Sequence, residues 1–178
     1  MDERSRDLGA FIDARSGSLL RFAYLLTGDH DLAEDLLQNS LIKVYLSWDR
    51  IRDRAALEAY TRTVMTRTQV AWWRRPARRE VLGVEPTERA VRDHLNVRED
   101  VPVDERDELW LLLATLGPRQ RAVLVLRFYE DLSEAEIARV LDCSTGTVKS
   151  QLSRGLARLR ERMPAESPTR NALMEEPR

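Results

Sequence analysis

Between Pro76 and Asp104 the apolar periodicity that runs through the rest of the chain stops. The stretch holds Pro76, Pro86 and Pro102, and seven acids (Glu80, Glu85, Glu88, Asp93, Glu99, Asp100 and Asp104) against five arginines. Scattered prolines and solvated charge leave nothing with which to build a buried face, so residues 76–104 read as an acidic linker. The 178 residues are therefore split into two short segments. Neither has the bulk of a large enzyme fold, and each must build its core from a few thin elements.

Both segments carry helical spacing. Leu8, Phe11, Ile12, Leu19, Phe22, Ala23 and Leu26 recur at three and four, the signature of one helix face, and Thr27-Gly28-Asp29 ends it. Asp31, with Glu34 three residues on, predicts a capped start for a second helix through Ala33, Leu36, Leu37, Leu41, Val44, Tyr45 and Trp48. After a polar break at residues 49–54, a third stripe runs through Leu57, Tyr60, Val64, Thr68, Ala71 and Trp72 until Pro76 stops it. Trp48, Tyr60 and Trp72 read as core.

Beyond the linker, Leu109, Leu112, Leu113 and Leu116 close at Gly117-Pro118, and Ala122, Val123, Leu126 and Phe128 follow before Asp131. Ser133 and Glu136 have the spacing of a reciprocal cap, opening a short helix to Leu141. A break at Asp142-Cys143-Ser144 precedes a longer helix whose inner face is Val148, Leu152, Leu156 and Leu159. Residues 163–178 read as a frayed tail. The expectation is an all-α chain of two small helical domains.

Several classes of function are set aside at this stage. The lone Cys143 cannot form an internal disulfide, reads as a small buried filler, and no paired Cys/His framework suggests zinc. His30 and His94 lack partners at ligand spacing, so neither a metal nor a cofactor is expected. The chain opens Met1-Asp2-Glu3-Arg4-Ser5-Arg6-Asp7 with no apolar signal region, and the longest apolar run, Leu109 to Leu116, is short for a membrane span, which suits a cytoplasmic protein. No catalytic constellation stands out, and the expectation is a non-enzyme.

The net charge is −1, so nucleic-acid binding cannot be read from the total and must be sought in its distribution. Two regions concentrate positive charge. The last two helices have the dimensions of a helix-turn-helix, and Ser144-Thr145-Gly146-Thr147-Val148-Lys149-Ser150-Gln151 is thin enough at its start to approach a groove, with donors behind. From Ser144 to Arg160 four cations, including Lys149, Arg154 and Arg158, meet no acid. The second region, Arg62, Arg67, Arg74, Arg75, Arg78 and Arg79, is also free of acids and contains Trp72 and Trp73, the basic-plus-aromatic mixture that suits unpaired strands. A solvated helix face fits the first pattern too, and Trp73 fits either core or contact.

These segments resemble a known family. Leu116-Gly117-Pro118-Arg119-Gln120-Arg121 through Arg127, Leu132-Ser133-Glu134-Ala135-Glu136-Ile137-Ala138 and Gly146-Thr147-Val148-Lys149-Ser150 resemble region 4 of extracytoplasmic-function sigma factors. Leu25 through Asp29, Ala33-Glu34-Asp35-Leu36-Leu37-Gln38 and Ala71-Trp72-Trp73-Arg74-Arg75 resemble region 2 of the same family. The 27 arginines against Lys43 and Lys149 fit a GC-rich, actinobacterial-type branch.

The resemblance implies sigma region 2 at residues 1–75, the linker at 76–104, sigma region 4 at 105–162 and a disordered tail at 163–178. It implies an alternative sigma factor that joins core RNA polymerase and directs promoter-specific initiation. Region 4 would read the minus-thirty-five element through Ser144, Thr145, Thr147, Lys149, Ser150, Gln151, Arg154 and Arg158. Region 2 would read the minus-ten element and the melted non-template strand through Arg62, Arg67, Trp73, Arg74, Arg75, Arg78 and Arg79. Asp35, Leu37 and Gln38 would meet the clamp helices of the β′ subunit, region 4 would hold the β flap tip, and an anti-sigma factor is a further partner the family admits. The chain departs from the family pattern at Asn39, Arg67 and Ala71, so minus-ten preferences are not carried over at those positions.

Elements about 18 base pairs apart are roughly 60 Å apart at about 3.4 Å per step. The linker extends to at most about 95 Å, yet its unconstrained span is only about 30 Å. Something must hold it extended, and its excess of acids suits a polymerase groove built to accept polyanionic RNA. Neutralising the seven acids is expected to weaken core binding. Two other readings keep the same helices: a stand-alone helix-turn-helix regulator, and a sigma-like decoy that occupies core without initiating.

Overall fold

The computed structural model describes residues 3–51, 53, 55–74 and 112–162, the side chains of Glu3, Trp73 and Arg74 excepted. Among these residues every regular element is helical. The chain divides into two compact units, Met1–Arg78 and Arg79–Arg178. The linker and tail expectations, and the candidates Arg75, Arg78, Arg79 and His94, lie outside the described residues.

In the first unit, α1 spans Glu3–Thr27, α2 His30–Leu46 and α3 Leu57–Arg74, with a 3₁₀ turn at Trp48–Arg50. The α1 stripe is buried where expected: Leu19, Phe22, Ala23 and Leu26 form the centre of the core, and Leu8 and Phe11 pack against Val44, Trp48 and Leu57 at its other end. Gly28, at φ 76°, takes the left-handed conformation that closes α1, and its N–H donates to the Tyr24 carbonyl at 2.7 Å. Because the chain reverses at Gly28, α2 starts at once. Asp29 is its cap, accepting the Leu32 N–H on its side chain at 2.8 Å. The expected Asp31–Glu34 cap is corrected accordingly, and Asp31 sits in the first turn, where its charge favours the helix dipole.

The inward face of α3 also differs from the expected stripe. Thr61, Met65, Thr66, Thr68 and Gln69 are buried with Leu57 and Val70, whereas Tyr60, expected as core, is 37% exposed and Ala71 is exposed. The buried threonines are tolerated inside because their own helix or α2 satisfies them. The Thr61 and Thr66 hydroxyls donate to the carbonyls of Leu57 and Arg62 at 2.7 and 2.9 Å, and Lys43 Nζ of α2 donates to Thr68 Oγ1 at 2.8 Å. Trp48 is buried as expected; Trp72 is half-buried.

The second unit contains helical residues 112–114, then α4 at Pro118–Leu124, α5 at Glu134–Leu141 and α6 at Thr145–Arg162. Pro118 occupies the first turn of α4, and the Gln120 side chain accepts the Gly117 N–H at 3.2 Å. Arg121 is buried. Its Nε donates to the Leu113 carbonyl at 2.9 Å, and its Nη2 to those of Ala114 and Leu116 at 3.2 and 3.3 Å. Burial lowers its pKa to about 10, so at neutral pH it remains a cation placed on the carbonyls at the end of the preceding helical turn.

Helix α4 runs into a π turn at Val125–Tyr129, closed by the Glu130 N–H on the Val125 carbonyl and followed by Asp131 at φ 52°. The widened turn shifts the helical register. Phe128, expected on the inner stripe, is therefore exposed together with Tyr129, while Val125 and Leu126 stay buried. Packing of α5 and α6 follows the expected pattern through Ile137, Ala138, Leu141, Val148 and Leu159, with Leu152 and Leu156 half-buried. One inward position is glycine: a Cβ on Gly155 would stand 2.9 Å from Leu124 Cδ1, so the missing side chain is what lets α6 approach α4.

Candidate nucleic-acid interface

The site is built from the last two helices. Ser133 opens α5 at extended φ and ψ; its hydroxyl accepts the Glu136 N–H, and Glu136 Oε2 accepts the Ser133 N–H at 2.8 Å. Hydrogen bonding from the Ser133 hydroxyl, then from its N–H, holds the Glu136 carboxyl below its ordinary 4.5. At the other end Asp142, at φ 51°, supplies the left-handed residue that stops α5, a conformation its short polar side chain tolerates. Cys143 is half-buried in the turn, rather than fully buried as expected, because it lies at the surface of a tight reversal.

Ser144 caps α6. Its Oγ accepts the Thr147 N–H at 3.1 Å and lies 2.9 Å from Thr147 Oγ1. Ser150 Oγ donates to the Thr147 carbonyl at 3.0 Å. Three of the expected contact hydroxyls are thus already engaged in building the start of the helix. Thr145, Gly146, Lys149, Ser153, Arg154 and Ala157 are exposed, and Gln151 and Arg158 are half-buried. The outer surface is thin at its first turn and cationic behind it, the form a major-groove helix requires. Lys149 Nζ lies 3.7 Å from Glu134 Oε2 of α5, a tie that the sequence separation of the two residues concealed.

The expected contacts of α3 fall differently. Arg67 is exposed. Arg62 is turned inward: its Nη2 pairs with Glu58 at 2.8 Å and its guanidinium lies 5.4 Å from the Phe22 ring centroid. Glu58 also receives Arg15 at 3.3 Å and the Ser18 hydroxyl at 3.3 Å, which makes it the electrostatic tie between α1 and α3. Trp73 and Arg74 belong to α3, with side chains outside the described residues.

On α2, Asp35 and Gln38 are exposed and Leu37 is buried on the opposite, inward face. Sequence reasoning missed what accompanies them. Ile42 and Leu46, 58% and 73% exposed, follow Asp35 and Asn39 at helical spacing and add an apolar strip to the outer face. Their three-and-four spacing was the available signal, yet it is shared with the core stripe. His30 stacks on Tyr24 with ring centroids 4.5 Å apart. Among the described residues no group of three or more His, Cys, Asp or Glu is placed to hold a metal ion, and no helix is long and apolar enough to cross a membrane.

Comparison with known proteins adds a second line of support. The family model for sigma-70 region 2 matches residues 11–79, and that for sigma-70 region 4 matches residues 106–159. The chain is 39% identical to an RNA polymerase sigma-E factor of Streptomyces avermitilis over 94% of its own length and 91% of that protein. It is 40% identical to the sigma-E factor of Streptomyces coelicolor, over 94% and 92%. Similarity extends to the ECF RNA polymerase sigma factor SigX of Bacillus subtilis, at 28% identity over 85% of this chain and 80% of that one. In fold, it resembles the sigma factor RpoE from Bartonella quintana, solved in complex with the anti-sigma factor NepR. The TM-score is 0.63 at 24% identity, over 91% of this chain and 99% of the other.

Proposed function

This chain belongs to the extracytoplasmic-function sigma factors, and from that premise we propose how its residues divide the work of promoter recognition. The protein is an alternative sigma factor: it binds core RNA polymerase and directs initiation at particular promoters. Helix α6 enters the major groove of the minus-thirty-five element, with Lys149, Gln151 and Arg154 facing the DNA beyond the capped first turn. Helix α3, from Arg67 to its C-terminal end with Trp73 and Arg74, meets the minus-ten element and its melted non-template strand, together with Arg75, Arg78 and Arg79. Arg62 holds that helix to α1 rather than touching DNA.

The outer face of α2, with Asp35, Gln38, Ile42 and Leu46, docks the clamp helices of the polymerase β′ subunit, and Leu37 supports it from beneath. The second unit receives the β flap tip. An anti-sigma factor is a further partner, in keeping with the complex in which the structural neighbour was solved. The chain supplies no catalytic residue, since phosphodiester chemistry resides in the core enzyme, and it works in the cytoplasm beside that enzyme.

The observation that carries this reading is the α5–α6 pair: a capped short helix, a three-residue turn and a recognition helix whose exposed face from Thr145 to Ala157 bears cations and no acid. Run-off transcription tests it. Purified chain added to core polymerase on genomic fragments is expected to give discrete transcripts that core alone does not give. Absence of transcripts from every template contradicts the proposal.

A further inference from the structure

We propose that Glu134 sets the selectivity of α6 for its DNA element by holding Lys149 away from the phosphate backbone. The inference rests on the reading of α6 as the DNA-facing helix, and goes beyond it by assigning a role to an acid on the neighbouring helix. Glu134 is the first residue of α5 and Lys149 lies in the second turn of α6; the helix-turn-helix reversal brings Oε2 and Nζ to 3.7 Å. The glutamate side chain is 34% exposed and the lysine 68%. At that distance and exposure the pair is an ion pair loose enough to be exchanged for another partner.

The position of the acid is what gives the pair a consequence. When the second helix of such a motif lies in the groove, the first crosses the phosphate backbone. A helix N-terminus, with its unpaired N–H groups and positive dipole end, ordinarily attracts a phosphate. Here that end carries two carboxylates. Glu136 is occupied by the Ser133 N–H and hydroxyl, and Glu134 reaches across to Lys149. A phosphate arriving at random must displace Glu134 from the lysine and approach a carboxylate. An acceptor on a base edge carries no full charge, so it can take another of the three ammonium donors of Lys149 without setting an anion against Glu134. Random binding is driven almost wholly by phosphate neutralisation, so it loses most from this arrangement.

Holoenzymes reconstituted with wild-type chain, Glu134→Gln, Lys149→Gln and the double variant test the inference. Each is titrated across a salt series with a duplex cut from a template that supports run-off initiation, and with the same duplex scrambled at its upstream element. Glu134→Gln is expected to tighten binding to the scrambled duplex by roughly three- to tenfold at low salt and to steepen its salt dependence by about one ion. Binding to the initiating duplex is expected to change by less than about twofold, so discrimination falls. In the Lys149→Gln background the same substitution is expected to have no effect on discrimination. The Ser133–Glu136 cap is untouched, and unchanged helical circular dichroism verifies the fold. Unaltered discrimination in Glu134→Gln overturns the inference, as does an effect that persists without Lys149. Failure of the wild-type holoenzyme to distinguish the two duplexes overturns the functional reading itself.

Discussion

Lys149 is the residue on which the proposed DNA contact of α6 turns. It is exposed on α6, beside Glu134. Lys149→Glu is expected to abolish promoter-dependent initiation while leaving core binding intact, because it reverses the charge offered to DNA and sets two carboxylates side by side. Run-off transcription and a core-binding measurement together check it. Glu136 makes a pH prediction. Its carboxyl titrates below 4.5 when folded, so its contribution to stability is complete above that value and is lost as the pH falls below it. Glu136→Gln is expected to destabilise the chain near neutrality and to flatten the acid limb, as read by urea unfolding of full chain between about pH 3 and 7. Gly155→Ala adds a methyl against Leu124, and overpacking of this kind costs about 1–3 kcal/mol, measurable in the same unfolding experiment. The Ser133–Glu136 cap was legible because both partners lie within one turn. The pair between Glu134 and Lys149 was not, because a separation of many residues carries no local signal.

At the level of elements, apolar spacing located α1 to α6 among the described residues and misjudged the inward face in two places. For α3 the expected stripe kept Leu57 and Thr68 but lost Tyr60 and Ala71 to Thr61, Met65 and Thr66, since threonine hydroxyls that bond their own helix can be buried. In α4 the π turn displaced Phe128 to the surface, a shift of register that no periodicity scale contains. Helix α2 gives the prediction proper to this scale. Replacing both Ile42 and Leu46 with serine is expected to weaken core binding by about tenfold, equivalent to about 1.4 kcal/mol. Stability is expected to hold, because both side chains are exposed. Anisotropy of labelled chain titrated with core checks the first expectation, and thermal unfolding the second.

For the whole molecule, a net charge of −1 supplies no strong overall attraction to DNA. The free chain is expected to retard promoter duplex weakly in a mobility-shift assay and to gain affinity when core is added. Tight binding by the free chain would instead indicate a stand-alone regulator. The sequence by itself determined the helical class, the Ser133–Glu136 cap, and the motifs of both sigma regions, because each depends on residues within a few turns of one another. Tertiary structure decided which side of each helix faced inward, which cations stayed available and which were consumed. Arg62 was taken by Glu58 and Phe22 and Arg121 by three carbonyls, while Lys149 stayed exposed in a loose pair with Glu134, since burial and pairing depend on neighbours that only the folded chain brings together.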